Sequence, residues 1–285
     1  VVDIFMSSAN DTTWFPIAQT TPAELEGEIV DGRYRIKKKL SLGSMGVIYL
    51  AEQLSLQREV ALKVLWGPQN EAVQRRFCQE ALLGGRLKSP FCMQIIDFGV
   101  SVHGFSFIVM ELLEGRTVQD FVERNGPMPS TLVRTMFLQL TMALIELHRH
   151  RFVHRDIKPS NIFINESTNN FTLIDFGLLM ERDSVLKEKF VGHVGTPMYM
   201  SPEQVEKKEV DHRSDMYALA MSVIFALNGS TPYPSSDVHT LLNAQLHEEP
   251  RSVAPVSFQS ALEQASHKNP NKRPNSPKAL LKEIE

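Results

Sequence analysis

Cysteine is scarce: only Cys78 and Cys92 occur among 285 residues. Neither belongs to a C-x-x-C pair or to a His/Cys cluster, which excludes a disulfide framework and a thiolate metal site. Both are expected to be reduced, in or near a core. Excess charge of one sign is also missing, because 30 Lys and Arg against 33 Asp and Glu leave a net charge of -3. Without a basic stripe, no nucleic-acid partner is expected. The one dense basic run, residues 37–39, reads as the solvent-facing end of a strand. No uninterrupted apolar run reaches the roughly 18 residues of a membrane span. Residues 1–9 are too short and irregular for a signal peptide. No membrane contact is expected of this segment itself. It begins at Val1 and reads as a fragment, a cytoplasmic domain whose full-length protein is free to carry an anchor elsewhere.

What is present suits an ordinary globular protein. A hydrophobic share of 42% with 22% charged residues supports one large domain or two lobes sharing a cleft. Residues 1–30 mix Ser, Thr, Pro and acidic residues, and predict a flexible leader with at most a short docked piece near Trp14 and Phe15. "RYRIKKKL", "GVIYLAEQ" and "EVALKVL" predict three consecutive strands, and "CMQIIDFGV" and "FSFIVMELL" two more. Between them, residues 71–87 predict a helix weakened at Gly84 and Gly85. Leu132, Met136, Leu140, Ala143 and Leu147 recur at helical spacing, so 130–150 predicts a long core-facing helix. "NIFI" and "FTLI" predict a hairpin, Asp215 to Leu227 an apolar helix, and 237–285 further helices. The expected fold class is α+β: a small five-stranded β lobe with one main helix, and a larger, mostly α lobe.

Chemistry concentrates in three stretches. "LSLGSMGV" (40–47) is almost a glycine-rich phosphate loop, with Gly43 and Gly46 in place and Ser41 where a first glycine would stand. On the strand that follows, Lys63 interrupts an apolar run, and burying it is costly unless an anion meets it. It reads either as a lysine snorkelling from an edge strand or as a clamp for phosphate oxygens. A clamp would be held by an acidic partner, with Glu80 the natural choice and Glu71 also available. "VHRDIKPSNIFI" puts Asp156, Lys158 and Asn161 within six residues of one irregular turn. A carboxylate there could accept a hydroxyl proton, the lysine could neutralise a transferring phosphoryl group, and the asparagine carbonyl is a hard oxygen ligand. "IDFG" sets Asp175 at the end of the second hairpin strand, where it and Asn161 offer oxygens to a divalent ion carried by a polyphosphate.

Residues 31–285 resemble a eukaryotic-type protein kinase domain, and the bacterial serine/threonine kinases above all. "MGVIYLAEQ", "REVALKVL", "VHRDIKPSNIFI", "DFGLL", "GTPMYMSPEQV", "DHRSDMYALAMSVIFAL" and "NKRP" stand in the order of that family. The resemblance implies a small lobe over about 31–111, a hinge at about 111–115 and a large lobe over about 116–285. It implies Asp156 as catalytic base, Lys158 as the lysine on the substrate side, and Lys63 with Glu80 as the phosphate clamp. It implies ATP as the nucleotide, with magnesium (or manganese in its stead) on Asn161 and Asp175. Leu40, Gly43, Gly46, Val47, Ala61 and Phe163 would enclose the nucleotide. Met110 would stand as gatekeeper, with Glu111 to Leu113 meeting adenine. Glu203 and Arg273 resemble the ion pair of the large lobe, and Asp215 the aspartate that supports the catalytic loop.

Two departures from the family pattern bear on activity. Ser41 would add about 1–3 kcal/mol of strain if its position demanded a backbone shape open only to glycine. Between Gly177 and Gly195 the one serine or threonine is Ser184, whereas Arg155 implies an anion in that segment. Ser184 once phosphorylated, Glu188 or a partner could supply it. The loosened helix at Gly84 and Gly85 adds dimerisation or a regulatory partner to the expectations. The expected function is phosphoryl transfer to serine and threonine of proteins, including the chain itself. The alternatives are a regulatory scaffold with little turnover, and a small-molecule kinase of the aminoglycoside type. His148 and His150 read as a helix C-terminus rather than a zinc site.

Overall fold

The computed structural model describes residues 25–43, 46–65, 71–176, 180–181, 197–235, 237–251, 253 and 255–285. The leader around Trp14 and the segment with Ser184, Glu188, His193 and Thr196 therefore lie outside the described residues. The chain divides into two compact units, one of residues 1–75 with 97–110 and one of 76–96 with 111–285.

The first unit is built on a sheet in the order β1-β2-β3-β4-β6-β5. The five expected strands are β2 (Tyr34–Leu42), β3 (Gly46–Gln53), β4 (Arg58–Leu65), β5 (Ile95–Val100) and β6 (Ser106–Glu111), and a two-residue edge strand, β1 (Ile29–Val30), is added. Strands β2, β3 and β4 form an antiparallel meander. On β2, Tyr34 and Ile36 point inward while Arg35 and the basic run face solvent, which is the alternation of a half-buried strand. On β4, Val60 to Leu65 are buried on both faces, Lys63 among them at 8% exposure.

The structure removes the strain attributed to Ser41. That residue lies in β2, paired with Ile48 on β3, and is absent from the residues with positive φ. An ordinary extended conformation suits serine, so no glycine-specific penalty arises there. Gly46 is different. A Cβ at that position would come within 2.3 Å of the Val64 carbonyl oxygen, so the close approach of β3 to β4 demands glycine.

Helix α1 (Glu71–Gly84), whose residues from Arg76 onward belong to the second unit, stops at Gly84, with Gly85 already in the turn. A Cβ on Gly84 would lie 2.5 Å from Ile95 Cδ1 and 3.0 Å from a Phe176 ring carbon. The glycine pair therefore ends the helix, where the sequence placed its weakening, against a tight contact. Two short elements escaped the sequence reading, β7 (Arg116–Thr117) and α2 (Val118–Asn125). Thr117 caps α2 by accepting the Asp120 amide at 3.0 Å, and Gly126 at φ 77° ends it.

The core of this unit is the long α3 (Ser130–Arg149) against α5 (His212–Asn228). Helix α3 is long and apolar enough to cross a bilayer by length and composition. Here Val133, Met136, Phe137, Leu140 and Leu144 are buried within the unit. Helix α5 is apolar almost all round and buried from Ser214 to Ala226, as befits a helix through the middle of a core. Strand β8 (Phe152–Val153) pairs with β11 (Met180–Glu181), and β9 (Ile162–Asn165) with β10 (Asn170–Leu173) and β7. Helices α4 (Pro202–Val205), α6 (Val238–His247), α7 (Gln259–Ala265) and α8 (Pro277–Ile284) complete the unit.

Candidate active site

Between β8 and β9 the backbone carries residues 154–158 and then a single 3-10 turn, Pro159–Asn161. This short loop gathers three of the side chains singled out in the sequence. Lys158 Nζ donates to Asp156 Oδ2 at 2.8 Å, and Asn161 Nδ2 donates to the same oxygen at 3.1 Å and to the Asp156 carbonyl at 2.9 Å. The Asp156 carboxylate is thus held by two donors, with its side chain 12% exposed. Charge-assisted bonds of this kind are about twice as strong as neutral ones, and here they fix the rotamer of the carboxylate.

The loop is held in an uncommon shape. Arg155 has φ 67° and Asp175 φ 63°, values that cost a non-glycine residue about 1–3 kcal/mol each. For Arg155 the surroundings supply the compensation. Its amide donates to Asp215 Oδ1 at 2.9 Å, and its carbonyl accepts from Gln204 Nε2 at 3.1 Å. Asp215 lies in the first turn of α5 and is fully buried. Its other oxygen accepts the His154 amide and His148 Nε2, both at 2.9 Å. Burial alone would raise the pKa of Asp215, but the His148 bond and charge, His154 and the Arg155 amide together hold it below the usual carboxylate range. An ionised carboxylate in the core is therefore the post on which the loop backbone hangs.

Asp175 follows Ile174, whose amide donates to the Asn161 carbonyl at 2.9 Å, so the end of the β9–β10 hairpin is stitched to the loop. The charges of Asp156 and Asp175 both act on His154, which brings the two acidic residues into one neighbourhood. His154 is fully buried, its ring edge-on to Phe176 at 5.8 Å between centroids. Burial pulls its pKa below the ordinary imidazole value against the opposing pull of Asp215, Asp156 and Asp175.

That shift fixes a sign. The folded chain keeps His154 neutral while the unfolded chain binds a proton near pH 6.5, so stability is lost as pH falls through that value. One proton corresponds to about 1.4 kcal/mol per pH unit. Urea unfolding at pH 7, 6 and 5 is expected to give a smaller loss for His154→Phe than for the parent chain. Equal slopes would rule His154 out as the group responsible.

The other sequence-derived positions fall on both units. Lys63, Val47, Ala61 and Met110 are buried in the first unit, and Leu40 is exposed on β2. Gly43 lies directly after β2, at the edge of the described loop. In the second unit Glu80 is buried on α1, and Phe163 is half-buried on β9. Glu111 is engaged with Gln94: its amide donates to the Gln94 carbonyl at 3.0 Å, and its carboxylate accepts the Gln94 amide at 2.7 Å. The Glu111 carbonyl and Leu113 follow directly along the chain from that pairing. His148 and His150 bond through Nε2 to Asp215 and Glu146.

The ion pair at the base of the unit is bidentate. Arg273 Nη1 and Nη2 meet the Glu203 oxygens at 2.6 and 2.8 Å, and Ser214 Oγ donates to Glu203 as well. Arg273 also donates to the carbonyls of His267, Arg213 and Lys268 at 2.7, 3.1 and 3.0 Å, so all five guanidinium hydrogens find acceptors. Gln204 was signalled only as the last residue of a Ser201-x-x-Gln204 capping box, and Gln245 had no mark in the sequence that would have singled it out.

Comparison with known proteins agrees with this geometry. The protein kinase domain family matches residues 34–284. The serine/threonine-protein kinase pkn3 of Myxococcus xanthus is 32% identical over 281 residues, which cover 92% of this chain and 51% of the relative. The serine/threonine-protein kinase pkn2 of the same organism is 35% identical over 87% of this chain and 31% of its own length. PrkC of Bacillus subtilis, also a serine/threonine-protein kinase, is 32% identical over 86% and 39% respectively. The chain spans about half the length of these relatives or less. A carboxylate clasped by a lysine and an asparagine on a loop anchored to a buried aspartate, within a match of this extent, places the chain in the protein kinase domain family, alongside bacterial serine/threonine kinases.

Proposed function

We propose that this domain transfers the terminal phosphoryl group of ATP to serine and threonine hydroxyls of proteins, its own chain included. The observation that carries the reading is the Asp156 carboxylate, fixed by Lys158 and Asn161 on a loop whose backbone is bonded to Asp215. A protein kinase domain uses ATP with a divalent cation, and the donor set here suits magnesium. The Nδ2 group of Asn161 is spent on Asp156, which leaves its Oδ1 as the oxygen to offer a hard cation beside the Asp175 carboxylate. Bound to Asn161 and Asp175, magnesium (or manganese) would offset negative charge on the phosphate oxygens.

In this reading Asp156 orients the acceptor hydroxyl and takes its proton. The hydroxyl oxygen then forms its bond to the terminal phosphorus as the bridging bond to ADP breaks. Lys158 offsets the charge gathering on the phosphoryl group. Lys63, kept in place by Glu80, holds the inner phosphates. Leu40, Gly43, Gly46, Val47, Ala61 and Phe163 surround the nucleotide, with Met110 and the hinge at 111–115 against adenine. A scaffold without turnover has two grounds, strain at Ser41 and the scarcity of hydroxyls between Gly177 and Gly195. The extended pairing of Ser41 with Ile48 withdraws the first, and the second falls almost wholly on residues outside those described.

Intact-mass measurement with site mapping, after incubation with ATP and magnesium, tests the proposal. Phosphate on serine or threonine, dependent on the divalent cation, is the expected result. Binding of ATP with no transfer to the chain or to a generic basic protein, under magnesium or manganese, would favour the scaffold.

A further inference from the structure

Helix α6 sends one side chain to the segment that begins at Pro197. Gln245 is fully buried, and its Nε2 donates to the Pro197 carbonyl, which also accepts the Met200 amide at 3.3 Å. Its Oε1 has no partner among the described residues. A buried amide with a single side-chain bond is costly, which marks that bond as the reason for glutamine here.

The bond belongs to a closed circuit. The Gln245 carbonyl accepts from Lys268 Nζ at 2.6 Å, and the Lys268 carbonyl accepts from Arg273 Nη2 at 3.0 Å. Arg273 holds Glu203, and Glu203 leads back along the chain to Pro197. Lys268 is itself fixed, with Nζ bonded to Tyr233 Oη at 2.6 Å and lying 4.6 Å from the centre of that ring. Tyr233 in turn meets Tyr217 of α5 through their hydroxyls at 3.0 Å. From inside the circuit, Gln204 Nε2 reaches the carbonyl of Arg155, the residue before Asp156. Segment 197–204 is thus tied on one side to α6 and on the other to the loop bearing the proposed base. Through Gln204 the segment is fixed to the residue next to Asp156, so in the proposed reading it stands beside the point where an acceptor hydroxyl would arrive.

We propose that Gln245 and Lys268 are positioning residues for the protein acceptor: through the Pro197 carbonyl they set where segment 197–204 stands, and hence which residues are accepted beside the phosphorylated hydroxyl. The proposal rests on the protein-kinase reading above. It concerns binding of the acceptor, not of the nucleotide. Gln245→Glu keeps the size of the side chain and removes its N–H donor. It is expected to raise the KM for a generic basic protein about five- to tenfold, with the KM for ATP within about twofold of the parent. A peptide library varied around the acceptor serine is expected to show flattened preferences. Lys268→Met should act in the same direction, and Lys268→Arg, which keeps a donor for both acceptors, should recover most of the loss.

A second measurement does not depend on turnover. Hydrogen exchange at the Met200 and Val205 amides is expected to quicken about tenfold in Gln245→Glu, with the amides of α3 unchanged. Absence of transfer by the parent chain would overturn the kinase reading, while the exchange data would still judge the strut. Unchanged exchange at 200 and 205 overturns the proposal. So does a rise in both KM values together with a lowered melting temperature, because that describes a merely structural role.

Discussion

Asp156→Asn is expected to lower the rate of phosphoryl transfer by about 10²- to 10⁴-fold, the usual contribution of a positioned general base. The substitution is suited to the geometry. An asparagine Oδ1 can still accept from Lys158 Nζ and Asn161 Nδ2, so the loop keeps its bonds while losing a group able to take a proton. The loop backbone should not move, since it hangs on Asp215 through the amides of His154 and Arg155. Initial rates at saturating ATP and magnesium provide the measurement, with nucleotide affinity and melting temperature as controls. A loss in kcat at unchanged ATP affinity is the expected signature. Transfer within about threefold of the parent would remove Asp156 from the role of base.

Arg273→Met is expected to cost about 3–5 kcal/mol of stability, the range for breaking a buried ion pair by removing one partner. It would strand the Glu203 carboxylate and the carbonyls of His267, Arg213 and Lys268 in a site where the arginine side chain has no exposed surface. For a unit of this size that corresponds to a fall in melting temperature of roughly 6–20 °C. Arg273→Lys should recover little, because three ammonium hydrogens in no fixed plane cannot serve five acceptor contacts. Thermal and urea unfolding followed by circular dichroism would measure both variants. A change of less than about 1 kcal/mol for Arg273→Met would mean that the pair is dispensable to the unit.

Breaking the same pair has an acid counterpart. Burial raises the Glu203 pKa, but the bonds and charge of Arg273 and the Ser214 hydroxyl outweigh it and hold the carboxyl below its usual value. Its contribution to stability is present above the unfolded-state pKa and is lost as pH falls through the folded one.

Much of the site was legible in the chain because the chemistry is local. Asp156, Lys158 and Asn161 fall within six residues, and a single irregular turn brings them together. The strands of the first unit and the long helices of the second were legible as well, since alternation and helical spacing follow from which face must leave water. Short elements were not, because two residues of β7 carry no period that could announce a strand. The packing role of Gly84 was not legible either, since helix propensity counts only the missing side chain and not the Ile95 and Phe176 contacts that its absence permits.

The sequence by itself determined which groups are available: an acid, a lysine and an amide on one loop, a second acid at a strand end, and the family order of motifs around them. Tertiary structure alone decided how they are held. Left-handed backbone at Arg155, the ionised state of Asp215, the ease of Ser41 and the reach of Gln245 to Pro197 each depend on partners as much as 67 residues away along the chain. Local pattern reports the preferences of a side chain, whereas burial and hydrogen-bond partners arise only when distant segments pack.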